Sequence, residues 1–286
     1  MAQHSGSKEL RSRLRVAPGR GPLDLTAYDS SDTPGSPGGK RRTLAATEAM
    51  RPRLAELQQR LYAQSTAGDP RRLLVVLQGM DTSGKGGTVK HVATGLNPTG
   101  VRVRTFKAPT EEERAHPFLW RIRKALPDAG EIGVFDRSHY EDVLVVRVRA
   151  LAPRATWSDR YDVINRFEQS LVDDGFTLLK VFLHIGYEEQ RERLLARLDR
   201  PSKHWKFDPQ DIADRALWPA YQEAYAAVLE RCSTDAAPWY VVPADRKWYR
   251  NWAVGTLLLQ HLEMIGPAYP KAAFDVPGNR AKLLRT

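Results

Sequence analysis

Two glycines and a lysine, spaced as Gly79-x4-Gly84-Lys85, directly follow an apolar run at 73–77. Glycines let the backbone curl so that successive N–H groups point inward, and the start of a following helix adds partial positive charge. A lysine at the helix entrance can reach the terminal phosphates of a bound polyanion. The spacing is that of a P-loop. It predicts phosphate binding by Lys85 and by the turn residues Gly79, Met80, Thr82, Ser83, Gly84, Gly86 and Gly87.

Two positions of this turn depart from the usual P-loop pattern. Gly86 stands where a Ser or Thr normally contacts Mg²⁺, and Asp81 places an acidic group inside an anion-binding loop. An anion there is unfavourable unless it carries a metal ion or a proton. The alternative interpretation is a glycine-rich strand-to-helix turn that binds nothing.

A second carboxylate is expected close to this turn. The short apolar strand at 131–135 ends in Asp136, which Arg137 follows. In parallel sheets that carry a P-loop, an Asp at this strand end faces the loop and holds Mg²⁺. Strand-terminal Asp is common in every fold, so the prediction depends on the P-loop upstream.

A predicted helix at 188–198 and the turn after it are rich in cations. They include Arg191, Arg193, Arg197, Arg200, Lys203 and Lys206. In a phosphotransferase, such a helix can close as a lid, place guanidinium groups over the transferring phosphoryl group and exclude water. The alternative is an exposed helix stabilised by pairs such as Glu189–Arg193.

Alternating strands and helices predict the fold class. Apolar runs near 73, 101, 131, 176 and 238 alternate with amphipathic helices, which indicates a parallel sheet covered on both faces. Residues 1–45 are rich in Gly, Pro, Ser and Arg and predict a flexible N-terminal arm. Residues 46–286 are expected to form one phosphotransferase domain with a lid at about 187–210. The segment 209–232 is expected to be a single helix.

Composition limits the partners and the compartment. The net charge of +10, from 44 basic and 34 acidic residues, points to an anionic partner. The single cysteine, Cys232, excludes an internal disulfide, and no apolar run reaches the length of a membrane span. We therefore expect a soluble, cytoplasmic protein that does not bind a membrane.

Four signatures in order resemble the second family of polyphosphate kinases. They are GMDTSGKGGTVKHV at 79–92, FDRSHYEDVLVVRV at 135–148, HWKFDPQD at 204–211 and APWYVVPADRKWYRN at 237–251. The resemblance covers about residues 46 to 265. It implies a three-layer α/β P-loop kinase fold, similar to thymidylate kinase, with a five-stranded parallel sheet and a helical lid. It also implies reversible, Mg²⁺-dependent transfer of the terminal phosphoryl group of inorganic polyphosphate to a nucleotide.

The resemblance also implies roles for individual residues. Asp81 and Asp136 match the metal-binding aspartates, with Mn²⁺ as an alternative to Mg²⁺, and Lys85 and Arg137 match catalytic cations. Arg191 and Arg197 fall in the region of the catalytic lid arginines. The expected polyphosphate contacts are Arg104, Lys107, Arg121, Lys124, Lys203 and Lys206. We further expect a homo-oligomer, either a dimer or a tetramer.

The form His139-Tyr140-Glu141-Asp142-Val143 resembles the class III branch, whose members phosphorylate both AMP and ADP. The substrates implied are therefore AMP, ADP and, in reverse, ATP. Glu141 is expected to contact the nucleotide, with Asp142 beside it. The alternative is that both are solvent-facing acids favoured by a helix start.

Two other functions compete with this hypothesis. The first is an ATP-dependent nucleoside or nucleotide kinase of the same fold, which Asp81 and Gly86 disfavour. The second is a non-catalytic P-loop or nucleic-acid-binding protein. We expect no nucleic-acid binding, because the sequence lacks interleaved aromatic and basic residues outside the spacing typical of a core.

Overall fold

The apolar runs form five strands of one parallel sheet. The protein is described by a computed structural model covering residues 10–19 and 21–286. The strands are β1 (Arg72–Gln78), β2 (Val101–Thr105), β3 (Ile132–Asp136), β4 (Phe176–His184) and β5 (Trp239–Pro243). Their order across the sheet is β2-β3-β1-β4-β5, and every neighbouring pair is parallel. The predicted α/β class and five-stranded parallel sheet are confirmed.

Helices connect the strands and cover the sheet. They are α1 (Lys40–Ser65), α2 (Lys85–Ala93), α3 (Glu111–Arg114), α4 (Trp120–Lys124), α5 (Val145–Val148), α6 (Arg154–Asp173), α7 (Tyr187–Leu198), α8 (Gln210–Ala216), α9 (Trp218–Arg231), α10 (Lys247–Ile265) and α11 (Val276–Leu283). Helix α10 packs against both α1 and α2, and α5 packs against α6 and α9. In residues 10–19 and 21–286, no helix has both the length and the apolar character needed to cross a bilayer.

The strand register places the functional residues at one edge of the sheet. Leu77 pairs with Asp136, so the loop that follows β1 and the carboxylate that ends β3 lie side by side. On its other side β1 pairs with β4, which leads into α7. The carboxyl ends of parallel strands are where ligands bind in open α/β sheets.

The N-terminal segment differs from the flexible arm that its composition predicts. Leu10, Leu14, Val16 and Leu25 are all buried in the core, and the Val16 amide donates to the carbonyl of Trp239 at 2.8 Å. These few apolar side chains, separated by Arg, Pro and Gly, anchor the segment to the domain. Helix α1 also begins at Lys40, before the predicted domain start at 46. Residues 1–9 and 20 of the predicted arm lie outside the described part.

The predicted single helix over 209–232 is wrong. The structure has α8 and α9 in its place, separated at Leu217, and Pro219 lies in the first turn of α9. Proline has no N–H to donate and disfavours helical geometry in the residue before it, so it begins a new helix.

A buried polar network ties β4 to the segment after β3. The Lys180 ammonium is fully buried and donates to Glu168 Oε2 at 2.5 Å, Tyr140 Oη at 2.9 Å and the Cys232 carbonyl at 2.6 Å. Tyr140 Oη donates to Glu168 Oε1 at 2.8 Å. Burial alone would raise the pKa of Glu168, but Lys180 and His139 bring it below its usual value. The network therefore holds an ionised Glu168 in the core.

We expect Lys180→Met to lower the free energy of unfolding by about 3–5 kcal/mol, because it leaves Glu168 as an unpaired buried carboxylate. The double variant Lys180→Met/Glu168→Leu removes both charges and should recover most of that loss. Urea denaturation monitored by tryptophan fluorescence measures both values. Equal losses in the single and double variants would contradict a coupled ion pair.

Candidate active site

The turn between β1 and α2 has a backbone that glycine alone accepts at two positions. Gly79 and Gly84 have φ of 152° and 104°. A Cβ on Gly79 would lie 2.7 Å from the Leu183 carbonyl oxygen, and one on Gly84 would lie 1.7 Å from Arg250 Nη1. Thr82 also has a positive φ, 64°, which is strained for a β-branched residue. Such strain is typical of ligand-binding loops.

Polar groups of this turn lack partners within the protein. Among the described residues, none accepts a hydrogen bond from the backbone N–H groups of Lys85, Gly86 and Gly87 in the first turn of α2. The hydroxyls of Thr82 and Ser83 are buried and likewise have no partner there. Several donors gathered at a helix N-terminus suit the oxygens of a phosphate group.

Lys85 is held by the backbone of the P-loop. It is buried, and its Nζ donates to the carbonyls of Gly79 at 2.7 Å and Met80 at 3.2 Å. Burial and the charge of Arg137 lower the pKa of Lys85, while Asp81 and Asp136 act in the opposite direction. The lysine is thus positioned over the loop by backbone oxygens.

Asp81 is surrounded by cations. Arg137 Nη2 contacts Asp81 Oδ1 at 2.8 Å. Burial alone would raise the pKa of Asp81, but Lys85, Arg137, Arg197 and Arg149 together hold it below its usual value. Asp81 is therefore ionised at neutral pH.

Asp136 has a carboxylate that the rest of the described chain leaves unpaired. No hydrogen bond or ion pair to that side chain occurs within residues 10–19 and 21–286. A Cβ on Gly86 would lie 3.7 Å from Asp136 Oδ2, so the carboxylate faces the first turn of α2. Asp136 therefore points toward the place where the P-loop would hold phosphate.

The donor set fits a metal ion that is bound jointly by the protein and its substrates. Mg²⁺ is usually held by one or two carboxylates together with substrate phosphates, rather than by a cage of protein ligands. Asp81 and Asp136 are two such carboxylates. The described residues include no group of three or more His, Cys, Asp or Glu side chains that could hold a metal ion by themselves.

Arg137 is fixed between Asp81 and Glu141. It has a positive φ of 64°, and its Nη1 lies 3.6 Å from Glu141 Oε2. Glu141 and Asp81 raise the pKa of Arg137 against the effect of burial. The Asp142 carboxylate pairs with Arg160 at 3.2 Å. The side chains of Glu141 and Asp142 are only 15% and 16% exposed, so the interpretation as solvent-facing acids is wrong.

The three arginines of α7 have three different environments. Arg191 is exposed and pairs with Glu188 at 2.6 Å. Arg193 is buried and donates to the carbonyls of Thr82 and Ser83, so it supports the P-loop from outside. The predicted Glu189–Arg193 pair is present at 2.6 Å, but the helix is not simply an exposed one.

Arg197 belongs to a set of ion pairs that joins α7 and the segment after α5 to helix α8. Its Nη1 pairs with Asp211 at 3.2 Å, and Arg149 pairs with Asp214 of the same helix, α8, at 2.5 Å. Arg197 of α7 and Arg149, which follows α5, also contribute to lowering the pKa of Asp81. These two arginines, held by carboxylates of α8, therefore add positive potential at the P-loop carboxylate.

Comparison with known proteins decides the family. Residues 39–269 match the family model described as Polyphosphate kinase 2. The AMP/ADP-polyphosphate phosphotransferase of Meiothermus ruber is 49% identical over 259 residues, which are 91% of this chain and 95% of that protein. The ADP-polyphosphate phosphotransferase of Rhodopseudomonas palustris is 40% identical over 245 residues, 82% of each protein. The chain belongs to the polyphosphate kinase 2 family.

A solved structure supports the same conclusion. The crystal structure of polyphosphate kinase 2 from Arthrobacter aurescens TC1 matches with a TM-score of 0.94 and 49% identity, covering 97% of each chain. The family and the P-loop kinase fold expected from the four signatures are thus confirmed.

The residues expected to bind polyphosphate divide into two groups. Most are exposed: Arg104, Lys107, Lys124, Lys203 and Lys206. Arg121 differs, because its side chain is only 7% exposed. Its Nη1 donates to the Lys107 carbonyl at 2.9 Å and lies 3.4 Å from Glu113. Arg121 therefore stabilises the segment after β2, and its burial argues against a direct contact with polyphosphate.

Several residues that shape the site were missed in the sequence. Gln190 donates to the Asp81 carbonyl at 3.2 Å, and Arg250 donates to the Ser83 carbonyl at 3.1 Å. Arg149 was missed as well. Arg250 lies inside the fourth signature, 237–251, so that motif was the available signal. No local pattern points to Gln190 or Arg149, because their contacts are made only after the chain folds.

Gly84→Ala should destabilise the protein by more than the roughly 1–3 kcal/mol that a strained φ costs, because its Cβ would also collide with Arg250. Gly86→Ala is the matched control. Gly86 lies in α2 with 3.7 Å to the nearest atom, and Ala is favoured over Gly in a helix by about 0.5–1 kcal/mol. Urea denaturation without ligand compares the two, and equal effects would contradict the described turn.

Proposed function

We propose that this chain transfers the terminal phosphoryl group of inorganic polyphosphate to AMP and to ADP, giving ADP and ATP, with Mg²⁺ required. The reaction is reversible, so ATP can serve as a donor for polyphosphate synthesis. The observation that carries the proposal is the contact of Arg137 with Asp81 at 2.8 Å inside the P-loop, together with the unpaired carboxylate of Asp136 that faces the start of α2. Membership of the polyphosphate kinase 2 family and the relatives' substrates support it.

Charge is the main obstacle that this site must overcome. Donor and acceptor are both phosphates, so the reacting groups repel each other, and no hydroxyl needs to be deprotonated by a strong base. Positioning and charge neutralisation supply most of the catalysis in phosphoryl transfer. A bound Mg²⁺, held by Asp81 and Asp136, would neutralise phosphate oxygens and align the two substrates.

Each cation has a distinct part in this proposal. Lys85 leaves the Gly79 and Met80 carbonyls to bind the oxygens of the transferring phosphoryl group. Arg137, held by Asp81 and Glu141, contacts the acceptor phosphate. Arg197 of the lid approaches from the opposite side and excludes water, which would otherwise compete as acceptor.

The exposed cations define the polyphosphate path. Arg104, Lys107 and Lys124 follow β2 and its connection to β3, and Lys203 and Lys206 follow the lid helix. A flexible polyanion binds to separate lysines and arginines through charge more than through shape, so this binding should weaken as salt concentration rises.

One pocket can accept both AMP and ADP if the acceptor shifts by one phosphate while its metal contact is kept. Glu141 lies behind Arg137 and can hold that arginine in either position of the acceptor. We therefore place the chain with the AMP- and ADP-accepting members of the family. The buried thiol of Cys232 is consistent with a cytoplasmic protein.

A time course from pure AMP tests the proposal. Wild-type protein with Mg²⁺, AMP and polyphosphate should give ADP first and ATP later, measured by nucleotide chromatography. In parallel reactions, ATP in place of polyphosphate should phosphorylate AMP much more slowly, and excess chelator should abolish phosphorylation. Lys85→Met, purified in the same way, is the control for contaminating adenylate kinase.

Three outcomes would contradict the proposal. ADP that accumulates without ATP would remove ADP as an acceptor. Turnover with ATP as the only effective donor would favour the ATP-dependent kinase. Undiminished turnover in chelator would remove the metal.

A further inference from the structure

The carbonyl groups of the P-loop are held from outside by side chains from distant parts of the chain. A loop that turns its N–H groups inward must direct carbonyls outward, and buried carbonyls need donors. Gln190 donates to the Asp81 carbonyl. Arg193 donates to the carbonyls of Thr82 and Ser83. Arg250 donates to the same Ser83 carbonyl at 3.1 Å.

Arg193 has a carboxylate partner, whereas the hydrogen-bond partners of Arg250 are neutral. Arg193 pairs with the Glu189 carboxylate at 2.6 Å. Arg250 is 4% exposed, and its partners are neutral oxygens, those of Ser83 and Asn251. Within residues 10–19 and 21–286, no carboxylate lies within 4.0 Å of the Arg250 guanidinium. A buried charge without a counter-ion is unfavourable.

The Arg250 guanidinium lies directly against the first turn of α2. A Cβ on Gly84 would be 1.7 Å from its Nη1, and one on Gly87 would be 3.2 Å from its Nη2. Because Gly84 has no Cβ, the guanidinium can lie against the backbone of the P-loop at the start of α2. Burial and the charge of Arg193 lower the pKa of Arg250 to about 10, which still leaves it protonated at neutral pH.

We propose that Arg250 is a positioning residue for the P-loop, and that the phosphate bound on the other side of the loop is its counter-charge. Arg250 fixes the Ser83 carbonyl and stabilises bound phosphate through the backbone, without touching it. This inference rests on the proposed function only in requiring that the P-loop binds phosphate.

Asn251→Asp tests the counter-charge while keeping the geometry. Asn251 Oδ1 already accepts from Arg250 Nε at 3.2 Å and from Nη2 at 2.9 Å, so an isosteric carboxylate keeps both contacts. It would neutralise Arg250 in the free protein. We expect an unchanged or higher Tm without ligand, and about tenfold weaker binding of Mg²⁺-ADP and of inorganic tripolyphosphate.

Two variants of Arg250 separate charge from packing. Arg250→Met removes the charge and should also weaken binding of both ligands by about tenfold. Arg250→Lys keeps the charge and should restore binding to within about threefold of wild type. Asn279→Asp, on the exposed helix α11, is the control for the same change in net charge and should bind as wild type.

Isothermal titration calorimetry gives the dissociation constants, and thermal unfolding without ligand gives the Tm. The proposal would be overturned if Asn251→Asp bound both ligands with wild-type affinity. It would also be overturned if Arg250→Lys lost as much affinity as Arg250→Met. If Arg250→Met does not fold, Asn251→Asp and Arg250→Lys still decide. A wild type that binds Mg²⁺-ADP but not tripolyphosphate would overturn the proposed donor, and the Arg250 comparison would then be made with ADP.

Discussion

Four cations act on one carboxylate, that of Asp81, and the architecture of the site follows from this arrangement. Lys85 comes from α2, Arg137 from the end of β3, Arg149 from the segment after α5, and Arg197 from α7. Positive charges so close together repel one another. The parallel register of β1 and β3, the buried network under β4 and the ion pairs of the lid all supply the rigidity that holds them.

The same arrangement explains the two departures from the usual P-loop. Asp81 inside the loop is stable because the surrounding cations outweigh the cost of its burial. Gly86 lacks the hydroxyl that normally contacts Mg²⁺, but it leaves the Asp136 carboxylate facing α2 without obstruction. In the proposed function, Asp81, Asp136 and the phosphates of the two substrates would provide the oxygens that Mg²⁺ prefers.

Sequence alone predicted the parts of the site that are encoded locally. The P-loop is a contiguous motif and Asp136 ends an apolar strand, so both strands and the position of Asp136 near the loop could be predicted. The helix at 188–198 was also predicted, but the separate environments of Arg191, Arg193 and Arg197 were not. Those environments depend on which parts of the folded chain pack against each face of the helix.

Other features depended on contacts that no local pattern encodes. Arg121 was expected to contact polyphosphate, but it is buried and bound to the segment after β2. Lys180 lies within the otherwise mostly apolar strand β4 and pairs there with Glu168. Leu10 and Val16 lie in a segment whose composition is that of a flexible chain, yet each side chain fits a site on the core. In each case the environment of one side chain differs from the one that the composition of the surrounding sequence indicates.

Asp136→Asn gives the most direct test of the central claim, that phosphoryl transfer requires the negative charge of the Asp136 carboxylate. The Asp136 side chain has no described partner within the protein, so the isosteric change removes charge and metal binding without breaking a contact. We predict a Tm close to that of wild type and a loss in kcat of about 10² or more with polyphosphate and ADP. A kcat within threefold of wild type at saturating Mg²⁺ would contradict the account.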